Sequence, residues 1–275
     1  MSLDVSKVRY ISLIRLEGGE SILSLPYAEM SIDPDLIAGF VTAVIIFAKT
    51  PIRTIRKAAY DILIEVGETV LVLLVVDPVA SEAPYRERLT RILENVEEKH
   101  GAKLKKFEGD VRRFREFSLE ILMEFPFSAV DIDLVPVRNK KGRIIPFRVG
   151  SVDSKLEQLE AFINGKRTVA EIMDLIDLPE KQVLAMFSML HKYKWIDFKR
   201  RLTDNDILVK QECPDITLNS IKAQYGKPVD DMLNHFDGAL TITQVIEALP
   251  YDQQALWFLI NKLFEVGCLA QKTFS

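Results

Sequence analysis

The side chains able to do chemistry are few and scattered in this sequence of 275 residues. The three histidines, His100, His191 and His235, are dispersed and read as helix-end or core-edge residues. The acidic pairs Asp131/Asp133, Asp204/Asp206 and Asp230/Asp231 have no partner that the sequence supplies for acid and base work. Cys213 and Cys268 lie far apart, with no CxxC and no ligand histidine near them, so neither a disulfide framework nor a zinc site is suggested. No phosphate-binding GxxxxGK[ST], dinucleotide GxGxxG, HExxH or GxSxG occurs. Enzymatic chemistry is therefore not expected, and no cofactor or metal is called for. What remains is basic charge in three places: Arg53 and Arg56; the stretch from Arg138 through Lys140 and Lys141 to Arg143; and Lys199-Arg200-Arg201.

The elements that position these groups start with a repeat. Phe162-Ile-Asn-Gly-Lys-Arg-Thr-Val returns 73 residues later as His235-Phe-Asp-Gly-Ala-Leu-Thr-Ile. Val169, Ile172, Val183, Phe187, Leu190 and Ile196 map onto Ile242, Val245, Leu256, Ile260, Leu263 and Leu269, apolar in both copies. Each copy reads as a helix ending at Asn-Gly or Asp-Gly, a tight turn, a short helix, a longer helix, and a strand near Trp195 or Cys268. That is a winged-helix plan used twice.

Ahead of the repeat, Val8 to Leu16 and Glu20 to Pro26 form a hairpin about Glu17-Gly18-Gly19. Asp33-Pro34-Asp35 opens a helix that ends before Pro51. Ile52 to Lys57, Tyr60 to Val66 and Thr69 to Val76 continue as a strand meander. A helix over Ser81 to His100 with Gly101 as its C-cap and another over Val111 to Phe125 complete a ββαβββαα order. The expected class is α+β: a five-stranded antiparallel sheet with packed helices over residues 1–130, a basic extended linker over 131–152, and winged-helix modules over 153–212 and 213–275.

The helix from Pro34 to Thr50 is apolar over half its circumference, through Ile37, Phe40, Val41, Val44, Ile45 and Phe47, with Ile46 apolar on the far side. One sheet face cannot cover all of that. The later helices cover the excess, or the helix is a dimer seam with the apolar arc buried in a partner.

The stretch Ala38-Gly-Phe-Val-Thr-Ala-Val-Ile-Ile-Phe-Ala-Lys, followed by Tyr60-Asp-Ile-Leu-Ile-Glu-Val-Gly-Glu-Thr-Val, resembles the longin and roadblock group of small-GTPase regulators. Phe162-Ile-Asn-Gly-Lys-Arg-Thr-Val-Ala-Glu-Ile with Leu190-His-Lys-Tyr-Lys-Trp-Ile is similar to the winged-helix segment of nitrogen permease regulator-like proteins, which also join a longin domain to winged helices. The resemblance implies a subunit of a GTPase-activating assembly acting on Rag-type small GTPases and pairing longin to longin with itself or a sister chain. In that family an arginine on the hairpin between the last two longin strands enters the partner's site. Here that hairpin is Gly67-Glu68-Thr69, and a glutamate there repels the phosphates. Arg53 and Arg56 lie one strand earlier and either reach a partner or are simply solvated strand arginines.

The chief competing function is DNA binding. It requires basic or polar side chains on the third helix of each module. Pro179 to Lys194, where Lys181, Gln182 and Ser188 are the main candidates, and Tyr251 to Leu263 are apolar and poorly charged, and residues 213–275 hold 4 Lys/Arg against 7 Asp/Glu, opposite to a nucleic-acid footprint. Lys199-Arg200-Arg201, at the first wing, alone has the character of a phosphate clamp, and reads otherwise as a solvated wing or a contact for an acidic protein partner. Residues 131–152 carry five basic and two acidic side chains, a strut between domains or a contact for an acidic GTPase face or anionic lipid. A net charge of −4 gives no global pull toward nucleic acid or membrane. The N-terminus has no basic and apolar leader, and no apolar run of 18 or more occurs, so a cytoplasmic location is expected. The sequence thus reads as a non-catalytic scaffold that regulates a small Ras-like GTPase. The alternatives are a DNA-binding regulator and an active GTPase-activating subunit.

Overall fold

The computed structural model describes residues 3–28, 34–48, 52–107 and 109–272, and so leaves out Asp33, the expected N-cap of the first long helix. The chain divides into two compact units, Met1–Lys199 and Arg200–Ser275, each with its own hydrophobic core. In the first unit β1 (Val8–Arg15), β2 (Ser21–Pro26), β3 (Thr54–Arg56), β4 (Asp61–Val66) and β5 (Val70–Val76) form a sheet ordered β2-β1-β5-β4-β3. Every pairing in it is antiparallel. The first hairpin turns at Glu17-Gly18-Gly19, where Gly19 takes φ +73°, a conformation that favours glycine.

Strand β5 sits at the centre and is buried along its whole length, a Val/Leu run with no polar residue. Its alternate side chains serve two cores. Leu71, Leu73 and Val75 join Tyr10, Ile14, Ile62 and Ile64 beneath Ile37 and Val41 of α1 (Pro34–Ala48). Val70, Val72, Leu74 and Val76 face Tyr85, Leu89, Ile92 and Val96 of α2 (Ala83–Lys105). Helices thus cover both faces.

Two helices differ from expectation. Gly101 does not end α2: the helix runs on to Lys105 because Leu104 is buried and holds one more turn on the core, while Lys103 and Lys105 suit the negative C-terminal end. The expected helix from Val111 to Phe125 opens as a 3-10 segment, Val111–Phe117, before α3 (Ser118–Glu124). Val111, Phe114 and Phe117 recur every third residue, so three residues per turn bring both buried phenylalanines to one face. His100 lies edge-on to those two rings, at 5.5 and 5.6 Å, and burial lowers its pKa.

The repeat is reproduced in its short helix, long helix and closing strand, but the second copy adds a helix and, where a tight turn was expected at Asp237-Gly238, a strand that pairs with its neighbour. The first copy comprises β6 (Leu134–Arg138), α4 (Gly150–Phe162), α5 (Val169–Met173), α6 (Glu180–Lys192) and β7 (Ile196–Arg200). The second comprises β8 (Ile207–Lys210), α7 (Asp215–Tyr225), α8 (Lys227–Leu233), β9 (Asp237–Thr241), α9 (Ile242–Ala248), α10 (Gln253–Glu265) and β10 (Leu269–Gln271). All twelve repeat positions named above are buried. Thr168 with Glu171, and Thr241 with Gln244, form the same capping box at the start of the short helix. Lys194 and Gly267, also equivalent, both take positive φ, 61° and 79°. Residues 131–152 contain β6, which pairs with β7, and β8 lies in the second unit between β10 and β9.

The copies differ in what their long helix touches. Between Gln182 and Leu190 only Leu184 is incompletely buried, because α6 packs against α3 within the first unit's core. Glu124 at the end of α3 ties these helices together, accepting from Arg91 at 2.7 Å, with Arg88 at 3.4 Å and Lys181 at 3.9 Å.

Cys213 and Cys268, expected to be unpaired, form a disulfide with a Cα separation of 4.9 Å. The residues just before α7 and just before β10 are brought together by the fold, a proximity invisible at a separation of 55 residues. Linking residues that far apart restrains the unfolded chain by roughly 4 kcal/mol. Trp195 lies in the first unit and Trp257 in the second, and they are the chain's two tryptophans. In single-tryptophan variants a reductant should lower the urea midpoint read by Trp257 by about 1 M or more and leave that read by Trp195 in place. Equal midpoints for Trp257 with and without reductant would show that the bond contributes nothing.

Candidate interaction surfaces

Helix α1 resolves the apolar arc into two faces. Ile37 and Val41 are buried against the sheet, and Val44 is half-buried. Leu36 at 67% exposure, Gly39, Phe40 at 50% and Ala43 point outward. Their i, i+3, i+4, i+7 spacing makes a stripe along the helix. Leu36 was not among the expected contact residues, although its place four residues before Phe40 puts it on the same face. Lys57 Nζ lies 5.6 Å from the centre of the Phe40 ring. The side chains of Ile45 and Phe47 lie outside the described residues. Beside α1 on the same sheet face, the hydroxyls of Tyr10, Ser12, Ser21 and Ser24 satisfy one another, with Tyr10 donating to Ser24 at 2.7 Å and Ser12 lying 2.9 Å from Ser21. A buried hydroxyl at Ser12 is thereby satisfied.

The loop Gly67-Glu68-Thr69 joins β4 to β5 and is pinned to α2. The Glu97 carboxylate accepts from Thr69 N at 2.9 Å, Thr69 Oγ1 at 2.8 Å and Val70 N at 3.2 Å. Glu68 is 85% exposed, with Lys105 3.6 Å away. Nothing in the sequence signals Glu97, which stands half-buried at the edge of the helix's apolar stripe, four residues after Leu93.

Arg53 and Arg56, read as solvated, are engaged by carboxylates of their own unit. Arg53 donates to Glu65 at 2.8 Å and Arg56 to Glu82 at 3.3 Å. Arg86 on α2 completes the network, reaching Glu65 at 2.8 Å, Glu82 at 2.8 Å and the Arg53 carbonyl at 2.9 Å. Burial of Glu82 opposes its ionisation, but hydrogen bonds from Arg86, Arg56 and Thr54 outweigh this and hold its carboxyl below the usual range. The network binds the edge strand β3 to α2.

The remaining cations fall on β6, β7 and the loop after β6. Arg138 donates to the Glu160 carbonyl. Arg148 is held by Asp153 at 2.6 Å and Glu160 at 2.8 Å. Lys140, Lys141 and Arg143 are exposed. Lys199 and Arg200 end β7, Arg201 follows, and Arg200 lies 4.0 Å from Asp206. The structure therefore does not gather the candidate cations on one element: Arg56 ends β3 of one sheet with Arg53 just ahead of that strand, and Arg138 ends β6 of another.

The buried α6 cannot enter a nucleic-acid groove. On α10, Gln253, Gln254, Phe258, Asn261 and Glu265 are exposed, and Lys262 Nζ lies 4.8 Å from the Tyr225 ring and 5.9 Å from that of Phe258. That face is aromatic and amide-bearing, without the guanidinium forks that read guanine. Among the described residues no group of three or more His, Cys, Asp or Glu is arranged to hold a metal ion, and no helix is long and apolar enough to cross a membrane. No known protein-family model matches the chain, and no curated protein matches it.

Glu97→Ala should remove the acceptor for three donors of the hairpin and cost about 2–3 kcal/mol. Glu68→Ala, at an exposed position, should change stability by less than about 0.5 kcal/mol. Urea unfolding of the two variants checks this, and equal losses would mean that the Glu97 contacts do not hold the loop.

Proposed function

We propose that the chain is a non-catalytic regulator of a small Ras-like GTPase, built as a longin-like domain followed by two winged-helix modules. In this reading it pairs through α1 with a second copy or a sister chain. The observation that carries it is the outward stripe Leu36, Gly39, Phe40 and Ala43, on a helix whose opposite side already fills the sheet core. Gly39 and Ala43 keep the stripe low between two large apolar side chains, a surface that admits a second helix at close range. The order β2-β1-β5-β4-β3 with helices on both faces supports the longin comparison.

The non-catalytic part rests on charge. Hydrolysis is accelerated when an arginine neutralises the transferring phosphoryl group. The β4–β5 hairpin offers Glu68, and the arginines one strand away are already bonded to Glu65 and Glu82. Withdrawing either arginine would leave its carboxylate without that partner.

Self-association is read by sedimentation velocity at tens of micromolar (order of magnitude, where weak dimers form). Phe40→Asp should weaken the dimer at least tenfold while the fold is kept, since burying the exposed half of a phenylalanine stabilises by about 1–1.5 kcal/mol. Ile37→Asp should instead unfold the domain, because it places a charge in the core. A wild-type chain that remains monomeric, with no sister chain recovered alongside it, would remove the α1 seam.

Regulation is read by single-turnover GTP hydrolysis of a small GTPase that the chain binds. Glu68→Ala should leave hydrolysis unchanged or slightly faster, and Arg53→Ala/Arg56→Ala should leave it unchanged. Stimulation of about 10³-fold or more by wild-type protein, abolished in the double variant with binding intact, would make the chain an activating enzyme component instead.

A further inference from the structure

The loop from Asn139 to Ile144 combines three features found together nowhere else among the described residues. It is rigidly seated, it projects unpaired positive charge, and it carries the most exposed large hydrophobic side chain. Ile144 is 88% exposed, while its neighbours Ile145 and Phe147 are buried at 5% and 4% and anchor the loop in the core. Asn139 N donates to the Trp195 carbonyl at 2.9 Å, and Arg143 N to the Tyr193 carbonyl at 2.7 Å. In return Trp195 Nε1 donates to the Arg143 carbonyl at 2.8 Å. Asn139 Nδ2 reaches Asp197 at 2.9 Å. Gly142 lies flat on the indole, where an added Cβ would come within 2.5 Å of the ring.

Lys140, Lys141 and Arg143 stand on this frame, and among the described residues none of the three has a carboxylate within ion-pair distance. Lys194, 55% exposed, lies in the segment that holds the loop. Arg143 is close enough to Lys192 to help depress its pKa, after burial, which is the larger cause. Among the described residues the carboxylate that meets this group is Asp197, shared among Asn139, His191 and Lys194. An excess of cations is thus concentrated on one loop of a chain whose net charge is −4.

We propose that this loop is a peripheral docking site for an anionic lipid surface, with Lys140, Lys141 and Arg143 meeting the headgroups and Ile144 entering the acyl boundary. Charge selects an anionic partner, and Ile144 decides which kind. A phosphate backbone has no apolar layer beneath its charges, whereas a bilayer presents headgroup charge and hydrocarbon within a few ångströms of each other. The pre-formed loop loses little freedom on docking. This site is separate from α1 and from the β4–β5 hairpin, so it adds to the preceding reading without resting on it.

Vesicle co-sedimentation of the full chain tests this with no GTPase present, so a failure here leaves the GTPase reading untouched and the reverse holds too. The chain should pellet with phosphatidylcholine vesicles containing about one-third phosphatidylserine at roughly 150 mM salt, should not pellet with pure phosphatidylcholine, and should weaken as salt is raised. Each basic side chain near such a surface contributes about fivefold, so Lys140→Ala/Lys141→Ala/Arg143→Ala should lower partitioning about 10²-fold. Ile144→Asp should reduce binding at both low and high salt, and Lys222→Ala/Lys227→Ala in the second unit should leave it unchanged. In a Trp257→Phe background the emission of Trp195 should shift on vesicle addition, and its unshifted spectrum in the loop variants without vesicles reports that the loop is still seated. Absence of binding to the anionic vesicles would overturn the proposal. So would binding that survives the triple substitution, or loop variants that bind vesicles normally but lose a nucleic acid or an acidic protein.

Discussion

The constraint on which the first unit depends is the burial of β5 on both faces. A strand reading Val-Leu-Val-Leu-Leu-Val-Val has no side to give to water, so it must lie at the middle of a sheet and be covered twice. One cover is α2 with α3. The other is α1, which must therefore be apolar on the side carrying Ile37 and Val41. Because α1 is the one helix of that core among the described elements, its outer side keeps Leu36 at 67% and Phe40 at 50% exposure, with Lys57 reaching the Phe40 ring. The apolar surplus of this helix follows from the strand beneath it plus a second surface, and that second surface is what the functional reading uses.

The repeat shows one local code serving two structural ends. Both copies use an Asn or Asp turn, a Thr capping box, and a positive-φ residue after the long helix. In the first copy the long helix is consumed by the core, packed on α3 and tied to α2 through Glu124. In the second the equivalent helix keeps an exposed face, and its unit closes on itself with a disulfide. The charged groups divide in the same manner. Arg53, Arg56 and Arg148 hold pieces of the fold together through carboxylates, whereas Lys140, Lys141 and Arg143 have no such partners among the described residues and stand on a loop fixed by the Trp195 indole.

Much of the architecture was legible in the chain. Period-two and continuous apolar runs marked the five strands and their hairpins, and the 73-residue repeat placed the short and long helices of both copies, because hydrophobic periodicity and capping are local properties; it did not foresee the extra helix α7 or the strand β9 of the second copy. The lack of a guanidinium on the Gly67-Glu68-Thr69 hairpin was equally a matter of sequence. Local reading erred where the tertiary core overrode a local stop signal, as at Gly101, where Leu104 beyond it had a core site to fill.

What only the folded chain decided are the relations between distant residues. Whether Phe40 and Ile37 share a fate depends on which side of α1 meets the sheet, and a shared apolar arc does not say. That Cys213 bonds Cys268, that Arg53 and Arg56 are held by Glu65 and Glu82, and that Trp195 seats the loop bearing Ile144 all arise from contacts closed over tens of residues. The physical reason is common to them: propensity and periodicity act within a few turns of chain, whereas ion pairing, disulfide closure and exposure are set by which surfaces the cores bring together.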